Sequence, residues 1–168
     1  MRFRHLLTLS VALAALTGPP ARAEGRSAWR GWDEGLREAR RSGRPVLVDV
    51  YTDWCGWCRR MDRDVYSRPE VREYLASHFV TVKLDAEAAD PAHYEGRDLT
   101  SSAVAERFGI NSYPTTVFLR FSGEHLINVP GYVPADRFLL VLRYIGDGHL
   151  ERGVSWDTFV KNVPATRR

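Results

Sequence analysis

The sequence predicts an α/β fold built on a mixed central sheet, and three observations carry that expectation. Short apolar runs at 46–51 and 79–84 read as buried strands. Helix-permissive sequence lies between them, which implies a parallel crossover. Two later strand-like runs, 115–121 and 125–129, flank Ser122-Gly123 and imply an antiparallel hairpin at one edge.

The elements follow in order. Trp32, Leu36 and Ala39 recur at helical spacing, so 30–42 reads as an amphipathic helix, closed by Ser42-Gly43 with Pro45 as a stop. Val46–Tyr51 is nearly continuous in apolar residues, as expected of a strand covered on both faces in the middle of a sheet. Cys58 to Tyr66 is helix-permissive. Ser67-Arg68-Pro69-Glu70 reads as a new helix start, with Ser67 as cap and proline in the first turn, and Val71, Tyr74 and Leu75 face inward. Residues 85–100 are polar, contain Pro91 and Gly96, and read as a loop. Ala103, Val104 and Phe108 suggest a helix closed by Gly109. Phe138, Leu139, Leu142 and Ile145 set a helix over 134–145. A last short helix starts at Ser155 and uses Trp156, Phe159 and Val160. There is no internal repeat and no low-complexity tract.

Residues 1–23 read as an address rather than as structure. Arg2, Arg4 and His5 precede the apolar run Leu6–Leu16, Gly18-Pro19-Pro20 breaks it, and Ala21-Arg22-Ala23 fits a signal-peptidase site. The run is too short to span a bilayer, which takes about 20 residues. Cleavage leaves residues 24–168 as a single domain, its core at about 30–146 and a short helical tail at 147–168. The whole chain has 24 basic and 21 acidic groups, net +3. Three of the arginines lie in the leader, so the remainder is neutral. A neutral domain offers no electrostatic basis for binding nucleic acid or an anionic membrane, and no stable membrane insertion is expected once the leader is gone.

The chemistry concentrates in Trp54-Cys55-Gly56-Trp57-Cys58, which holds both of the chain's 2 cysteines. Two thiols three positions apart, just after a buried strand, read as a redox pair. A helix N-terminus favours an anion, and in CxxC motifs it lowers the first thiol to a pKa of roughly 3.5–7.5. Cys55 is therefore expected exposed as the nucleophile, with Cys58 buried one turn on as the resolving thiol. Half a zinc site is an alternative, but CxxC supplies two of four ligands, and His78, His93, His125 and His149 show no ligand spacing. A structural disulfide is another. The flanking Trp54 and Trp57 favour a specialised, substrate-facing surface. No cofactor and no metal is assigned.

The segment Val46–Cys58, an apolar strand leading through an acid to W-C-x-x-C, resembles the active-site segment of thioredoxin-fold proteins. Ser112-Tyr113-Pro114-Thr115-Thr116 resembles the cis-proline loop of the same family. Residues Tyr51–Val71 are more like exported thioredoxin-like reductases, among them the periplasmic C-terminal domain of the bacterial transmembrane disulfide reductase. The likeness covers about residues 30–145 and implies the three-layer α/β/α thioredoxin fold. It implies Cys55 as nucleophile, Cys58 as resolving thiol and Asp49 as the buried acid that exchanges protons with Cys58. Burial raises a carboxyl pKa, which suits that role. A strand-end aspartate bonded to backbone is the plainer alternative. Lys83 matches the basic partner of the acid, or is a solvated edge lysine. Pro114 matches the cis-proline, which offers the Tyr113 backbone to an extended substrate. Tyr113 takes the specificity position or packs as an ordinary aromatic. Trp57 departs from thioredoxin, which carries proline there.

The expected function is exported, periplasmic thiol–disulfide exchange that reduces protein disulfides and is recharged by a membrane electron donor. A dedicated reductant in cytochrome c maturation is the rival within the enzyme class. A metal-binding protein using the two cysteines, or a chaperone using the tryptophan surface, is the rival outside it.

Overall fold

The structure, a computed structural model, describes residues 29–163. The leader and cleavage site read at 1–23 lie outside the described residues. The order is α1 (Trp32–Ser42), β1 (Val46–Tyr51), α2 (Gly56–Met61) running into a π-helical turn (Asp62–Tyr66), α3 (Pro69–His78) and β2 (Val80–Asp85). Then come β3 (Pro91–Tyr94), β4 (Arg97–Thr100), α4 (Ser101–Arg107), β5 (Thr115–Leu119), β6 (His125–Pro130), α5 (Ala135–Gly146) and α6 (Trp156–Asn162).

Among the described residues the main sheet has four strands in the order β2-β1-β5-β6. β1 runs parallel to β2, with Asp49 opposite Lys83, and antiparallel to β5, with Val50 opposite Thr115. It is therefore interior to the sheet, as its nearly continuous apolar run predicts. Alternation along β1 sorts the core into two layers. Val46, Val48 and Val50 pack with Trp32, Leu36, Val82, Val104 and Phe108 under α1 and α4. Leu47 packs on the opposite face with Met61, Val65, Leu75, Phe118 and Phe138, under α2, α3 and α5. Helices on both faces of a mixed sheet make the three-layer architecture.

Three local expectations change. Residues 85–100 are not a loop throughout: β3 and β4 form a hairpin, Tyr94 opposite Arg97. Its two turn residues, Glu95 and Gly96, have φ of 50° and 73°, the left-handed pair that a tight hairpin turn uses. The alternation in β3 buries only Ala92 and Tyr94 and starts at Pro91, too brief to stand out. Ser67 does not cap α3. Arg68 stands at that position, and Ser67 Oγ donates instead to the Arg63 carbonyl, ending the π-helical turn. The strand expected to reach residue 121 stops at Leu119, where the register with β6 shifts and the chain turns, Arg120 N–H donating to Glu124 O and Gly123 N–H to Arg120 O. The helix starting after Ser155 forms as expected, the Ser155 hydroxyl accepting from Thr158 N–H.

Candidate active site

The register of the sheet places the site. β1 and β5 are antiparallel, so the C-terminal end of β1 and the N-terminal end of β5 meet at one rim. The CxxC follows the first, and Tyr113-Pro114 precedes the second. After Tyr51 the chain turns, Cys55 N–H donating to Thr52 O at 3.1 Å. Cys55 then caps α2 with extended backbone, its sulfur accepting from Cys58 N–H at 3.0 Å. An N–H aimed at Sγ from a helix's first turn stabilises negative charge there.

The two cysteines are joined in a disulfide, their Cα atoms 5.3 Å apart. Both are enclosed in this oxidised state, Cys55 at 4% exposure and Cys58 at 3%. That differs from the expected exposed Cys55. Disulfide-bonded to Cys58 and accepting the Cys58 N–H, the Cys55 sulfur is sheltered as fully as its partner.

The exposed surface beside them is aromatic. Trp54 is 63% exposed and Trp57 54%. Trp54 stands edge-on to Tyr113, ring centres 5.9 Å apart. Its indole N–H donates to the Glu87 carboxylate at 3.0 Å. Trp57 leans on Tyr132 at 5.5 Å, and the Arg60 guanidinium covers both rings, 5.1 and 5.4 Å from their centres. Tyr113 is half-buried and the Tyr113–Pro114 peptide bond is cis. Arg59 ties the Asp53 carbonyl at 2.8 Å. The sequence does not single out Glu87 and Tyr132, because nothing in their local pattern marks them as neighbours of a motif so distant along the chain.

Beneath the motif sits the acid. Asp49 is 0% exposed and lies on the β1 face that packs under α2. Lys83 Nζ donates to its Oδ2 at 2.5 Å, and the Tyr66 hydroxyl donates to its Oδ1 at 3.3 Å. Tyr66 also contacts Thr116 Oγ1 at 3.2 Å. Lys83 makes a second bond, to Asp62 Oδ1 at 2.6 Å. The π-helical turn brings Asp62 and Tyr66 to the same pair, and a widened turn of this kind is frequent at functional sites. Burial pushes the Asp49 pKa above the usual carboxylate range, and the adjacent Lys83 charge offsets only part of the rise. Burial alone would lower the Lys83 pKa, but Asp49 and Asp62 together raise it. Tyr66 is held far above the ordinary phenol range by burial and by the neighbouring Asp49 charge. Among the described residues, no group of three or more His, Cys, Asp or Glu is arranged to hold a metal ion.

An α/β/α sandwich with a CxxC disulfide at the first helical turn after an interior strand, above a buried acid, defines a thioredoxin-fold dithiol protein. Residues 32–146 match the thioredoxin-like domain family, and the chain belongs to that family. Among curated relatives, the thiol:disulfide interchange protein DsbD of Ralstonia nicotianae is 35% identical over 112 residues, which is 66% of this chain and 17% of that protein. The chain thus spans less than a fifth of the length of that relative. Among solved structures, a thioredoxin-fold protein from Helicobacter pylori superposes with a TM-score of 0.64 at 23% identity, covering 71% of this chain and 80% of that one. A thioredoxin from Thermus thermophilus gives 0.56 at 29% identity, covering 72% and 93%.

Proposed function

We propose that this protein is an exported thiol–disulfide oxidoreductase that reduces protein disulfides in the periplasm and is recharged by a membrane electron donor. The observation that carries the reading is the Cys55–Cys58 disulfide set at a helix N-terminus over the buried Asp49. In the reduced form, the Cys55 thiolate attacks one sulfur of a substrate disulfide, forming a mixed disulfide and expelling a substrate thiolate. Asp49 takes the proton from Cys58. The Cys58 thiolate attacks Cys55 Sγ, closes the intramolecular disulfide and releases the second substrate thiolate. Two electrons pass to the substrate, and its two sulfurs, released as thiolates, become thiols by taking the proton held on Asp49 and one from water. Trp54, Trp57, Tyr113 and Pro114 form the rim on which the substrate rests. The leader pattern at 1–23 and the likeness to an interchange protein support export and a partner that exchanges thiols.

The direct test is substitution. Cys55→Ser should abolish reduction of a protein disulfide such as that of insulin. Cys58→Ser should keep the first attack and accumulate mixed disulfides, visible on non-reducing gels. Undiminished reduction by the Cys55→Ser protein would overturn the assignment.

A further inference from the structure

The pair of Asp49 and Lys83 is enclosed by a residue from outside the matched domain. Trp29 precedes the region 32–146 that carries the family likeness. The chain beside it is fastened to the outer edge of β2: Arg30 N–H donates to Thr81 O, and Lys83 N–H donates to Arg30 O, each at 3.0 Å. This fixes Trp29 over the side chain of Lys83. The ammonium lies 4.8 Å from the Trp29 ring centre, 5.3 Å from that of Tyr51 and 5.6 Å from that of Tyr66. Trp29 also meets Tyr66 edge-on at 4.9 Å. Three rings therefore wall one cation, and two carboxylates hold its protons.

We propose that Trp29 is a positioning residue for the buried acid: its ring holds the part-buried Lys83 ammonium against Asp49, and so sets the pH at which Asp49 serves Cys58. The inference rests on the reading of Asp49 as the proton acceptor given above. A cation over an indole face is attracted by the ring quadrupole, and the attraction grows when water is excluded. Without an aromatic face the ammonium loses the ring attraction and is held less closely against Asp49, its pull on the carboxylate weakens, and the neutral acid gains. The Asp49 carboxyl is bonded by Lys83 and Tyr66, and Trp29 acts on it through Lys83. The titratable groups facing Asp49 are Lys83 from β2, Asp62 and Tyr66 from the π-helical turn, and Tyr51 from its own strand.

The test is a carbon-13 carboxyl NMR titration of Asp49 in the oxidised full-length protein, comparing Trp29→Leu and Trp29→Phe with the parent. Both replacements keep apolar bulk over Lys83, so the fold is retained, and only phenylalanine keeps an aromatic face. The Asp49 midpoint is expected to rise by about half a unit to one unit in Trp29→Leu and to stay near the parent in Trp29→Phe. An unchanged or lowered midpoint in Trp29→Leu overturns the proposal, as does an equal rise in both variants. The pH dependence of the resolving step, followed in single-turnover reduction of a peptide disulfide, separates the two readings. A raised Asp49 midpoint with an unmoved rate profile leaves Trp29 as the positioning residue but removes Asp49 as the base for Cys58.

Discussion

Asp49 is a carboxylate with no solvent, one cation and one phenol around it. Because burial raises its pKa, its proton-accepting form appears only above the ordinary carboxylate range. Turnover should therefore rise with pH through the Asp49 midpoint. Asp49→Asn should lose that rise and slow single-turnover reduction by about 10²-fold, the scale of a lost general base. Stability has its own sign. A carboxyl whose folded pKa lies above its unfolded value near 3.8 stabilises the fold while neutral, and the contribution is lost as pH rises between the two values. Urea titrations should show that Asp49→Asn removes this downward slope. Much of this chemistry was legible in the residues, since the two cysteines and the acid six positions before the first lie in one continuous motif. Tyr66, Asp62 and Trp29 were not, because they join the acid only through a π-helical turn and a sheet-edge bridge that no periodicity announces.

The elements hold their places by close packing and by single polar clasps. Gly35 in α1 sits against β2 so tightly that an added Cβ would lie 2.1 Å from Val82 Cγ2. Gly35→Ala should cost about 1–3 kcal/mol in chemical unfolding, the usual range for overpacking a filled core. The β3–β4 hairpin is clasped to α1 through His93. Its N–H and ring nitrogen bond the two Asp33 oxygens at 2.9 and 2.6 Å, and its carbonyl accepts from the Trp32 indole at 3.0 Å. The Asp33 hydrogen bond raises the His93 pKa. Burial pushes the Asp33 pKa up, but its bonds and charge contact with His93 outweigh that and bring it down. The histidine contribution is fully present below about pH 6.5 and lost as pH rises through the raised folded value. The aspartate contribution is lost as pH falls through its lowered value. Amide protection factors in the hairpin should accordingly peak between the two and fall on both sides, and a flat profile would argue against the clasp. Periodicity found every long helix and the four main strands here. It missed the hairpin, whose four-residue strands are shorter than the window in which alternation is readable.

At the largest scale, the thioredoxin-like domain matched over residues 32–146 hangs both redox centre and buried acid on β1, the strand bonded on both sides. The direction of electron flow then depends on the reduction potential of that disulfide against its partners. The measurement that tests the account most directly is the equilibrium reduction potential of the Cys55–Cys58 pair, titrated against defined thiol buffers. A reductase predicts a value near that of thioredoxin, about −270 mV. A value near about −120 mV would make the protein a disulfide donor, and no reversible two-electron transition would contradict the oxidoreductase reading altogether.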